Sequence, residues 1–182
     1  MASKIKVDEL ETGNGSGTIA LQNQLSGMTT ASLPTLTSAE MPTGSVLQVV
    51  NATTTTEVSN STNTFVNTGL TATITPSSTS SKILVMVNQN GVFKSDGSAN
   101  NALSIKLLKD STDISLITGS TGYTATAIQN YDATVSTSYL DSPSTTSATT
   151  YKTQFKSANN TSVVAVNRGS TESTITLMEI QG

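Results

Sequence analysis

Polar and apolar residues alternate along most of this chain. Leu70, Ala72 and Ile74 alternate with Thr71, Thr73 and Thr75, the period of two that marks a half-buried strand. Pro76 ends that strand, and Ser77 to Ser81 supply a turn. Leu103, Ile105 and Leu107 alternate with Ser104 and Lys106, and Tyr151, Thr153 and Phe155 alternate with Lys152, Gln154 and Lys156. Further strands are predicted at 45–50, 163–166 and 174–180, with turn signals between them. Leu103 to Asp110 is the one window that could pass for a helix, and its alternation argues for a strand. No heptad and no internal repeat is visible. The pattern predicts about nine or ten strands at sandwich spacing. The expected fold is therefore all-β, an antiparallel two-sheet sandwich of jelly-roll type with an extended N-terminal arm.

One segment breaks the alternation. Ile83, Leu84, Val85, Met86 and Val87 are apolar on both faces of a strand. Such a strand lies at the centre of a sandwich or beneath another subunit. These five residues are the candidate oligomer interface.

Residues 1–43 differ from residues 44–182, which carry the strands of the sandwich. Ile5 and Val7 alternate with charges and suit one short strand, and Gly13-Asn14-Gly15-Ser16-Gly17 follows as a hinge or tight turn. The stretch 26–43 has small residues, Pro34 and Pro42, and no sustained period. Such an arm builds no core of its own. It is ordered only when a partner subunit or a neighbouring protein holds it.

Composition narrows the chemistry. The 182 residues contain no His, no Cys and no Trp. That excludes Ser-His-Asp and Cys-His catalysis, zinc fingers and disulfides. Twelve acidic residues against nine Lys and Arg leave a net charge of −3, with no basic footprint for nucleic acid. No apolar run reaches the ~20 residues of a membrane helix, and the first residues lack the apolar core of a secretory signal. Thr and Ser fill 61 positions. Thr is a strand former, so this polar bulk reads as thin strands with Thr-rich outer faces rather than as disorder. The carboxylates show no pairing in their spacing, and solvated surface charge is the better reading than glycoside hydrolysis. Asp96-Gly97-Ser98-Ala99-Asn100 begins like a calcium loop, but Asn101 and Leu107 stand where such a loop needs Gly and Glu, so it reads as a hairpin turn. No enzyme activity, cofactor or metal is expected. Tyr123, Tyr131 and Tyr139 fall in a Thr-rich stretch and are candidate glycan contacts, the alternative being packing with each hydroxyl hydrogen-bonded.

Five segments taken in order carry a resemblance. They are Ser3 to Thr12, Pro42 to Val50, Ile74 to Val85, Ser138-Tyr139-Leu140-Asp141-Ser142-Pro143, and Ser173 to Ile180. Together they resemble virion structural proteins of tailed bacteriophages that infect marine bacteria, across nearly the whole chain. In that group the opening segment also begins tail-fibre-like proteins, as a particle-attachment module. The resemblance implies attachment through Ile5, Val7 and Leu10, a location on the particle surface, and partners such as the major capsid protein or a tail protein. It also implies self-association, with a homotrimer expected. A loop that is Arg-rich in that group is reduced here to Asn167-Arg168-Gly169-Ser170-Thr171-Glu172, and no ligand-binding residue follows from the resemblance. The expected role is to decorate or cement the head or to form a short head fibre. The alternative is a tail-fibre protein that recognises host surface glycans.

Overall fold

β-Branched and apolar residues at alternate positions turn one side of each strand inward, and two sheets pack those sides together. The computed structural model describes residues 37, 40–95, 99–126, 131–159 and 162–182, all within the compact unit Thr37–Gly182. Ile5, Val7 and Leu10, and nearly all of the proposed arm, lie outside the described residues.

Ten strands run in chain order. They are β1 (Val46–Thr54), β2 (Val58–Asn60), β3 (Val66–Ile74), β4 (Lys82–Lys94), β5 (Asn101–Lys109), β6 (Thr112–Thr124), β7 (Tyr131–Asp141), β8 (Thr149–Ser157), β9 (Val164–Val166) and β10 (Ser173–Ile180). In one sheet β4 is flanked on one side by β7 and on the other by β10 and then β9, with β1 beyond β10 and β2 beyond β9. The pairs β1/β2 and β9/β10 thus act as two interrupted strands. The second sheet has the order β3-β8-β5-β6. Every pairing is antiparallel, and the two four-strand layers have the order of a jelly roll. The expectation of an all-β, antiparallel two-sheet sandwich is met.

The predicted strands at 45–50, 70–75, 82–87, 103–107, 151–156, 163–166 and 174–180 all appear, most of them longer than the pattern suggested. The sequence reading missed β2, β6 and β7. Strand β6 is partly exposed along its length and mismatched to β5 by several bulges, so its alternation is blurred. Strand β7 alternates Tyr, Ala, Val and Thr with Asp, Thr and Ser, a contrast too weak to stand out in a Thr-rich chain.

The core has three levels. One apolar cluster gathers Leu70, Ile74, Ile83, Val85, Val87, Leu107, Tyr151, Ile175 and Leu177. A second gathers Val92, Leu103, Ile105, Phe155, Val164 and Val166. Between them, where the inward alternation continues, Thr68, Gln89, Thr153 and Ser173 are buried instead, joined by Asn167. They satisfy one another. The Gln89 amide donates to Asn167 Oδ1 and Ser173 Oγ, both at 2.8 Å, and accepts from Thr153 Oγ1 at 3.1 Å. Thr68 and Thr153 share a 2.6 Å bond, and Asn167 Nδ2 donates to the Thr56 carbonyl at 2.7 Å. This belt ties both sheets and the β9–β10 connection to a single register.

At one end of the sandwich, Glu179 is fully buried. It accepts from Ser77 N–H and Ser77 Oγ, both at 2.7 Å, and from Gln48 Nε2 at 2.6 Å. Burial pushes its carboxyl up, but these hydrogen bonds together outweigh burial and hold it below the ordinary glutamate value. A depressed carboxylate contributes stability above its unfolded-state pKa and loses it as pH falls through the folded value. Urea midpoints should therefore decline as pH falls below the ordinary glutamate range, and Glu179→Gln should flatten that part of the acid limb. Identical acid limbs would show that Glu179 does not carry this dependence.

Candidate interaction surfaces

Because side chains alternate, the two-faced strand 82–87 divides. Ile83, Val85 and Val87 point inward and are almost wholly buried in the chain's own core. They are core residues, which corrects their assignment to a subunit interface. Leu84 and Met86 point outward and stay only half-buried. Two apolar faces were legible in the sequence, but which face meets the second sheet depends on the register of β4 in the sandwich.

The register extends the outward face. Val49 stands opposite Met178, Met178 opposite Leu84, and Leu84 opposite Leu140. These four side chains form one apolar row across β1, β10, β4 and β7. Val49 and Leu140 are 55% and 54% exposed. Ile180 and the exposed Val46 flank the row on one side, and Met86 on the other. A contiguous apolar row differs from scattered exposed hydrophobes, because it offers one surface that another chain can dry completely. The missed members Val49, Met178 and Leu140 lie in separate parts of the chain. Only strand order brings them into line.

The three tyrosines do not form one site. Tyr123 is 51% exposed and its hydroxyl donates to Asn100 Oδ1 at 3.2 Å. Tyr139 packs from the side of the first apolar cluster. Tyr131 lies against Gly122, where a Cβ would meet its ring at 2.7 Å. Tyr131 and Tyr139 share β7 eight residues apart, about 26 Å along a strand, and so cannot contact one sugar ring. Of the three candidate contacts, Tyr123 is the exposed one, while Tyr131 and Tyr139 are half-buried.

The segment Ser138 to Pro143 has a structural account at Asp141. Lys109 pairs with Asp141 at 3.0 Å, and the buried Tyr151 hydroxyl donates to it at 2.7 Å. Burial, and then the bond to Asp141, push the Tyr151 phenol well above the ordinary tyrosine range. The group joins the end of β7 to β5 and β8. The outer face of the second sheet presents Lys106 and Lys156, whose ammonium groups lie 4.2 and 5.2 Å from the Phe65 ring centre. Lys106 also pairs with Asp113 at 2.8 Å. No helix among the described residues is long and apolar enough to cross a membrane.

No protein-family model and no curated protein matches the chain. Among solved structures, it is similar to the infectious bursal disease virus VP2 subviral particle, at 13% identity and a TM-score of 0.45. The match covers 76% of this chain and 34% of that one. A likeness this distant carries no functional argument.

Proposed function

We propose that this protein is a non-enzymatic structural component of a bacteriophage virion, which decorates or cements the head or forms a short head fibre. The virion part of this reading rests on the five sequence segments and their order. The observation that carries the assembly part is the apolar row Val49–Met178–Leu84–Leu140 on an outer sheet face. In this reading the row packs against copies of the chain, a closed trimer being the expected form, while Ile5, Val7 and Leu10 dock on the particle. For the glycan-binding tail-fibre alternative, the exposed Tyr123 remains a candidate contact.

Two measurements test the proposal. Sedimentation should find an oligomer that Leu140→Glu reduces to folded monomers, because the exposed position tolerates a charge in the monomer but not in a dry interface. A wild-type monomer, or an unchanged oligomer in the variant, would refute assembly through this row. Antibodies against residues 44–182, applied with gold label to intact virions, should mark the head. Tail label would favour the adhesin reading, and no label with negative blots of purified particles would overturn the virion assignment.

A further inference from the structure

The outer face that carries the apolar row ends, six residues further along β4, in a cleft. Leu84 and Asn90 are about 20 Å apart along the strand. The cleft has a volume of about 560 Å³, within the range of small-molecule sites, and opens to solvent. Its sides are Asp132 to Thr134 on β7 and Arg168, Gly169 and Thr171 in the β9–β10 connection, with Asn90 and Gly91 between them.

The walls are held in place. Gly91 has φ of +56°, and a Cβ there would lie 2.4 Å from the Arg168 nitrogen, so the connection rests directly on the glycine backbone. Asn167 N–H donates to the Asn90 carbonyl at 2.9 Å, and Asn90 Nδ2 donates to the Glu172 carbonyl at 2.5 Å. Thr134 Oγ1 donates to Asn90 Oδ1 at 2.8 Å, and Thr171 Oγ1 to the Arg168 carbonyl at 3.1 Å. These bonds engage one N–H and the oxygen of the Asn90 amide and leave both threonine hydroxyl oxygens able to accept.

Two charged groups line the cleft without an ion-pair partner among the described residues. The Arg168 guanidinium lies 3.3 Å from the Phe93 ring centre, and its Nη1 is covered with no hydrogen-bond partner. Asp132 is exposed on the opposite wall. Among the described residues, neither side chain forms an ion pair with the other or with a third group. The cleft thus offers a set of acceptors, namely a carboxylate and two hydroxyl oxygens, beside one stacked cation. A simple anion would meet the Asp132 charge. A ring bearing several hydroxyls can donate to Asp132, Thr134 and Thr171 while its own oxygens accept from Arg168.

We propose that the cleft between Asp132 and Arg168 is a saccharide-binding site for a neutral, polyhydroxylated sugar. It uses none of the three tyrosines. It lies about 20 Å along β4 from the apolar row, and it does not depend on where the protein sits on a particle.

The test is amide NMR on the full-length protein titrated with glucose, galactose, mannose and fucose, each alone. At least one sugar should shift the amides of residues 90–91, 132–134 and 168–171 in a saturable way. Asp132→Ala and Arg168→Ala should each weaken that binding by about tenfold or more. Asp132 is exposed, so its variant keeps the fold, and the same spectra report this independently. Acetate and β-alanine serve as probes for an anion or a zwitterion site. Shifts with either of these but with no sugar would overturn the proposal, as would silence across the four sugars. Sugar shifts that persist in Asp132→Ala would place the binding elsewhere and overturn it too. None of these failures bears on the virion reading, which the gold label decides.

Discussion

Val85→Asp is expected to leave the chain unfolded. Val85 is completely buried, on a central strand with β10 on one side and β7 on the other. Its neighbours in the first cluster are aliphatic side chains, Tyr139 on the opposing strand, and Tyr151, whose hydroxyl is already committed to Asp141. No described cation lies in that cluster. An unpaired carboxylate there must stay charged at a cost of several kcal/mol or take up a proton and remain without a partner. Domains of this size hold only about 5–15 kcal/mol in total, so one such change removes most of the margin. Val85→Ala is the control. It deletes two methyl groups, should cost about 2 kcal/mol, and should keep the fold. Circular dichroism and urea titration of both variants check the expectation. A folded Val85→Asp with near-native stability would mean that position 85 is not in the core.

The second large effect is expected at Asn167. Its side chain accepts from Gln89 and Ser173 and donates to the Thr56 carbonyl, and its backbone sits at φ 56°, ψ 29°, a left-handed conformation that Asn tolerates better than most residues. Asn167→Ala removes those bonds, leaves one Gln89 N–H and the Ser173 hydroxyl without their acceptor in a buried layer, and places a residue without Asn's local hydrogen bonding in that conformation. Each orphaned buried group costs about 1–3 kcal/mol, so a loss of about 3–5 kcal/mol is expected. Thr153→Val makes a milder comparison, since it removes one member of the belt and keeps its shape. If both variants unfold at the wild-type urea concentration, the belt contributes nothing measurable to stability.

The belt also shows how a polar interruption can be read. On β4 the inward series Ile83, Val85 and Val87 is followed by Gln89, and on β8 Thr153 separates Tyr151 from Phe155. In sequence each is one polar residue at a position whose parity says inside. A single such residue resembles noise or a strand end. It becomes interpretable once the register puts Gln89, Thr153, Thr68 and Ser173 at one level, where each is the other's partner.

Local pattern by itself determined the all-β class, the positions of seven strands and the two apolar faces of residues 82–87. Period-two alternation is a property of neighbouring residues, and it reports which side chains share a face. Composition likewise excluded every mechanism that needs His or Cys. Only the tertiary structure decided which face is inside, because that choice depends on pairing between β4, β7 and β10, residues far apart in the chain. The apolar row and the cleft arise the same way. Val49, Met178, Leu84 and Leu140, and equally Asp132 and Arg168, become neighbours through strand order and a backbone contact at Gly91, and no local spacing encodes either.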